Sequence, residues 1–304
     1  MFDRILLATT ASPACDDAAN VAFDLAKKYD SELIVFHVLG IPSRGFSPFV
    51  TDVRTGEKVN YYDDNYLALV KEEMRQTYET QLAEFPAARI ETVTGAPHTE
   101  ILRAARNQDV DLIVMGSHTR SYEDIGAARH RAVTGSTMQK VAKASRAPVL
   151  MISRPCTTCW WYFSNIVVGV DFSKASLSAF QFALKTAREI PCRLHVFHSV
   201  DLRGPEPGQE EIEAKIDEAR QKIEEMYLPH MEDFDAYEVD VWEGTPHVEI
   251  LKYARRKDAD LIVMAHHART VDPENAVMGG TVEQVVLRAS CPVCSVNRPD
   301  KIED

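Results

Sequence analysis

One stretch of 24 residues occurs twice, and it constrains this chain more than any other feature. Residues 95–118 read GAPHTEILRAARNQDVDLIVMGSH and residues 244–267 read GTPHVEILKYARRKDADLIVMAHH, identical at 15 positions without a gap. Each copy has the same physical grammar. A Gly-x-Pro turn leads into an amphipathic helix, with Ile101, Leu102 and Ala105 in one copy and Ile250, Leu251 and Ala254 in the other. A short polar break then precedes Leu-Ile-Val-Met, a run too apolar to be half-exposed, which reads as a strand covered on both faces of a parallel sheet. The residues that follow, Gly116 to Thr119 and Ala265 to Ala268, fall at the carboxyl edge of that sheet, where open α/β sheets bind ligands.

The flanking sequence extends the duplication to the whole chain. In the first half, strands are expected at 4–10, 33–38, 88–94, 112–115 and 148–153, with helices over 14–29 and 66–84 and from Gly135 onward, and a long surface loop over 40–65. In the second half, strands are expected at 166–171, 194–199, 237–242, 261–264 and 292–296, with a charged helix over 208–228 and a last one from Gly279. Alternating apolar strands and helices predict an α/β protein with a doubly wound, five-stranded parallel sheet in each half. The expected domains are 1–154 and 165–304, joined by a linker at 155–164 that carries Cys156, Cys159, Trp160 and Trp161.

The chain of 304 residues has room for two cores, and its net charge of −12 argues against a nucleic-acid partner, which needs a basic face. No apolar run approaches the ~20 residues of a membrane span, and the N-terminus reads as a strand rather than a leader. The expectation is a cytoplasmic protein with neither a membrane nor a nucleic-acid partner.

The strand-one loop, the Gly-Ser-His that closes strand four, and the Gly-Ser helix start before a Pro-Val strand resemble the universal stress protein family. The likeness covers nearly the whole chain as two tandem Rossmann-like domains, and it implies strand order 3-2-1-4-5. Members that bind ATP carry a Gly-x2-Gly-x9-Gly-Ser/Thr loop after strand four and an Asp ending strand one. Glycines there let the backbone approach phosphate oxygens, and the N–H groups of the next helix start bond the anion.

Both copies of that motif are altered. The first half keeps Gly116, His118, Gly135, Ser136 and Thr137, but Thr119 replaces the second glycine, 15 residues separate it from Gly135, and Thr10 stands where the Asp is expected. The second half keeps Asp171, while Ala265 and Ala268 replace both early glycines, 10 residues intervene before Gly279, and Gly280 and Thr281 follow. The resemblance adds Val38, Met115, Ser199, Met264 and His267 to the nucleotide-contacting positions. It implies ATP or another adenine nucleotide as ligand, with Mg only as the nucleotide's companion. It also implies pairing of the two fifth strands into a pseudo-dimer that dimerises again, and an unidentified protein partner.

Two other functions stay open at this point. One is slow ATP hydrolysis or adenylyl transfer, for which the sequence offers no carboxylate pair and no catalytic constellation. The other is a redox or metal sensor at Cys156 and Cys159, matched formally by Cys291 and Cys294. His37 and His198, equivalent in strand two, read as packed, hydrogen-bonded histidines, and the acidic helix near 208–225 reads as a solvated face with i,i+4 ion pairs.

Overall fold

Aliphatic and β-branched runs buried on both faces build one sheet of ten strands from both halves of the chain. The computed structural model describes residues 1–40, 49–51, 58–60, 64–116, 136–152, 163–202, 208–266 and 280–297. In the first half the order is β1 (Arg4–Ala8), α1 (Asp16–Tyr29), β2 (Glu32–Gly40), β3 (Phe49–Thr51), β4 (Lys58–Asn60), α2 (Asp64–Thr77), α3 (Glu79–Glu84), β5 (Arg89–Gly95), α4 (Pro97–Asn107), β6 (Leu112–Gly116), α5 (Ser136–Ala144) and β7 (Val149–Ile152). The second half has β8 (Asn165–Gly169), α6 (Lys174–Glu189), β9 (Arg193–Val200), α7 (Gln209–Met226), β10 (Tyr237–Glu243), α8 (Pro246–Arg256), β11 (Leu261–Ala265), α9 (Gly280–Arg288) and β12 (Val293–Val296).

The sheet order is β10-β9-β8-β11-β12-β7-β6-β1-β2-β5. Within each half this is 3-2-1-4-5, all parallel, as the resemblance implied. The fifth strands meet at the centre, where β12 pairs antiparallel with β7 through Val293–Met151, Cys294–Leu150 and Ser295–Val149. Reversal at that seam turns the carboxyl edges of the two halves to opposite sides of the sheet. Helices α1, α2, α6 and α7 cover one face and α4, α5, α8 and α9 the other, and each core runs unbroken through both halves. Across the seam, Gln139 Nε2 donates to Glu283 Oε1 at 2.8 Å, and the rings of Phe2 and Phe182 lie 6.3 Å apart.

The aspartate that opens each repeated strand has a structural task. Asp111 Oδ2 accepts from the backbone N–H groups of Asp3 and Arg4 at 2.9 and 2.8 Å. Asp260 Oδ2 does the same for Ser164 and Asn165 at 2.7 and 3.1 Å. Each carboxylate therefore ties the start of the fourth strand to that of the first.

Two expected elements differ. The loop over 40–65 contains the antiparallel ribbon β3–β4, whose three-residue strands are too short for a periodicity to show. The helix over 66–84 is divided at Tyr78, which is buried and leaves helical geometry at φ −105 and ψ 23. Its hydroxyl bonds Thr9 Oγ1 at 2.6 Å. Tyr227 ends α7 at the equivalent place, and its hydroxyl lies 3.1 Å from Ser176 Oγ. Both tyrosines brace the loop after the first strand, and burial pushes the Tyr78 phenol up to about 12.

Candidate functional site

The order of each half reverses between its first and fourth strands, so a crevice opens beyond β1 and β6 and another beyond β8 and β11. In the first crevice Thr9 continues β1, its N–H donating to Phe36 O at 3.0 Å. Thr10 is exposed at the edge, its Oγ1 lying 3.0 Å from Ser12 Oγ and 3.5 Å from Cys15 Sγ. Ala11 then takes φ 55, and a short turn at Pro13–Cys15 leads into α1.

The second crevice repeats this path with a carboxylate. Asp171 is exposed, and its Oδ1 accepts from Ser173 N and Oγ at 3.2 and 2.7 Å. Its N–H donates to Ser176 Oγ at 3.0 Å, and Ser173 Oγ accepts from Ser176 N at 3.0 Å, capping α6. Phe172, at φ 65, sits in the left-handed region that disfavours a bulky side chain. Its ring lies 4.5 Å from that of His198 and 5.7 Å from Lys222 Nζ.

His37 and His198 brace these loops in the same way: Nδ1 contacts Thr9 O at 2.9 Å and Val170 O at 2.8 Å, respectively. They are the packed, hydrogen-bonded histidines expected. Burial lowers the His198 pKa, with Lys222 adding to the effect and the Val170 carbonyl and Asp171 opposing it. His195 also titrates low. Burial is the main cause, and Lys257 and Arg193 outweigh Glu238 and Asp240. Its Nε2 lies 2.9 Å from Asn165 Oδ1 and its Nδ1 3.3 Å from Glu238 Oε2.

Both histidines thus bind a proton less readily folded than unfolded. Their contribution to stability is complete above the unfolded value of about 6.5 and is lost as pH falls through the lower folded values. Thermal melts from pH 8 to pH 5 should show Tm dropping below about pH 6.5. A His195→Asn, His198→Asn double variant should flatten that drop. An equally steep drop in the variant would refute the assignment.

Gly116 closes β6, and its neighbours explain it. A Cβ there would lie 2.8 Å from Ala14 O and 3.1 Å from Cys15 Cα, both backbone atoms. The turn at Pro13–Cys15 packs against this residue, so glycine is required for close approach. The equivalent Ala265 is half-buried.

The structure brings Thr10, Met115 and Gly116 to one crevice, with Ala8 beside Met115 in the register. Val38, opposite Val93, lies further along β2, and α5 begins at Ser136 and Thr137. Asp171, Met264 and Ala265 meet in the other crevice, Met264 facing Gly169. Ser199 Oγ donates to Gly244 O at 3.1 Å, and Gly280, exposed, is the first residue of α9, followed by Thr281. His118, Gly135, His267 and Gly279 lie outside the described residues, as do Thr119, Ala268, Cys156 and Cys159. Among the described residues no group of His, Cys, Asp and Glu could hold a metal ion. Cys294 is buried, and burial pushes its thiol well up, away from redox reactivity.

Sequence reasoning did not single out Tyr78, Tyr227, Ala11 or Phe172, and it read Lys222 only as an ion-pair partner on a solvated helix face. The tyrosine pair was readable, because the spacing of 149 that aligns Gly95 with Gly244 also aligns Tyr78 with Tyr227. The left-handed residues carry no signal, since neither is glycine or asparagine.

Comparison with known proteins follows the same division. The sequence profile of the universal stress protein family matches residues 1–153 and again 163–297. A universal stress protein of Methanocaldococcus jannaschii, MJ0531, is 30% identical over 149 residues, which are 46% of this chain and 85% of that protein. A crystal structure of a universal stress protein from Archaeoglobus fulgidus shares the fold with a TM-score of 0.64 at 23% identity, covering 97% of this chain and 98% of that one. A shorter one from Archaeoglobus fulgidus, in complex with dAMP, covers 44% of this chain and 97% of its own at 23% identity and a TM-score of 0.34. Among the described residues no helix is long and apolar enough to cross a membrane.

Proposed function

The chain belongs to the universal stress protein family, once in each half, and on that premise we propose that it is a cytoplasmic regulatory protein that binds an adenine nucleotide in the crevice of its second half. The observation that carries the reading is Asp171, an exposed carboxylate at the point where strand order reverses, held by Ser173 and by the cap of α6. A carboxylate so placed accepts hydrogen bonds from vicinal ribose hydroxyls. The N–H groups at the start of α9, where Gly280 is exposed, suit an anion. In the first crevice Thr10 offers no such acceptor of charge-assisted bonds, and close packing alone accounts for Gly116. The role is binding and signalling rather than robust turnover, with Mg arriving on the nucleotide, and the chain pairs with a second copy of itself.

Freshly purified protein, when denatured, should release adenine nucleotide, and the emptied protein should give heat with ATP or AMP in calorimetry. Asp171→Ala should weaken that binding at least about tenfold, the scale of one or two hydrogen bonds to a charged group. Gly135→Val should leave it unchanged. The reverse pattern would move the site to the first half, and no heat at millimolar nucleotide would sink the reading.

A further inference from the structure

At the outer end of the sheet, away from both crevices, α2, α3 and the start of β5 enclose an open cleft of about 580 Å³. That volume lies inside the roughly 300–1,000 Å³ range of small-molecule sites. Leu82, Pro86 and Ile90 form an apolar floor, and Lys71, Arg75 and Arg89 stand around it. The division of the helix at Tyr78 sets α3 apart from α2 and so shapes the cleft.

The cations differ in how free they are. Arg89 is engaged by Glu32 at 2.9 Å and Glu91 at 3.1 Å. Among the described residues Arg75 pairs with Glu72, at 3.3 Å, both side chains being more than half exposed, and such pairs hold weakly. Lys71 makes no ion pair among the described residues. One acid, Glu79, shares the lining. Lys71 and the weakly paired Arg75 over an apolar floor, on a chain of net charge −12, fit one chemistry.

The duplication supplies a control. With the spacing that aligns Tyr78 with Tyr227, Arg75 corresponds to Glu224, Pro86 to Asp235 and Arg89 to Glu238. Lys71 corresponds to Arg220, so that cation is shared, but the second half carries acids in place of Arg75 and Arg89, and the full set of three cations belongs to the first half alone.

We propose that this cleft binds an amphipathic carboxylate of medium chain length, its alkyl body on Leu82, Pro86 and Ile90 and its carboxylate between Lys71 and Arg75. The full chain would be titrated calorimetrically with octanoate, with acetate (the charge without the body) and with octylammonium (the body with the opposite charge). Octanoate should bind at least tenfold more tightly than either, and methyl resonances of Leu82 and Ile90 should shift with it. A Lys71→Glu, Arg75→Glu double variant, altered only at the helix surface, should melt as the parent does and lose at least tenfold in octanoate affinity. Equal binding of octanoate and octylammonium, unchanged affinity in the variant, or no binding at about 10 mM would overturn the proposal. So would ligand-free self-association abolished by the same variant, which would make a second copy of the chain the occupant. Octanoate affinity should be unaffected by Asp171→Ala, so this test and that of nucleotide binding fail independently.

Discussion

Expressed alone, residues 1–154 should not remain monomeric. In the whole chain β7 lies inside the sheet, between β6 and β12, and Val149, Leu150, Met151 and Ile152 are all buried. Removing the second half turns β7 into an exposed apolar edge with unpaired backbone groups, the kind of edge that natural proteins avoid. Each side chain returned to water costs roughly 1.5–3 kcal/mol, and the cores on both faces are cut at the same time. Because β7 and β12 pair antiparallel about an approximate twofold axis, a second copy of β7 can take the place of β12. Sedimentation of the isolated half should show dimer or aggregate. A stable monomer at micromolar concentration would mean that the seam contributes little and that the halves are independent.

The second large effect concerns one methyl-sized space. Gly116→Val should destabilise the chain by about 1–3 kcal/mol, the range for forced overpacking, because the atoms it meets belong to the backbone at Ala14 and Cys15. Thermal midpoints would fall by about 2–4 °C for each kcal/mol. Ala265→Gly should change stability far less, since it removes only a half-buried methyl and forces no overpacking. If Gly116→Val melts with the parent, the close-approach explanation is wrong and the glycine must be kept for the crevice itself. The distinction matters because Gly116 is a motif position that the first half keeps and the second half, with Ala265, does not.

The fold was open to reading because its signals are redundant. Asp-Leu-Ile-Val-Met at 111–115 and again at 260–264 fixes a buried parallel strand twice, and the two halves then agree on every principal strand. What escaped was set by single side chains acting at long range. Tyr78 divides a helix that its own neighbourhood would continue, because its hydroxyl reaches Thr9 across 69 residues. Gly116 looked like part of a ligand motif, yet the constraint on it comes from a turn about 100 residues earlier in the chain. At the crevices, the described motif residues Gly116 and Ala265 end the fourth strand of each half, and Thr10 and Asp171 follow the first. The motif did not foresee that Ala11 and Phe172 adopt left-handed backbone, a feature of chain path rather than residue type.

The covalent join across β7 and β12 has a consequence for how such a protein behaves at low abundance. Two separate subunits meeting through the same strands would come apart on dilution, and their symmetry would force both copies to carry every substitution. Here each half is permanently supplied with its partner at an effective concentration that does not depend on how much protein is made. One half is free to lose what the other retains. Thr10 in one crevice and Asp171 in the other are the mark of that freedom, in a particle that a single message encodes and that dilution cannot divide.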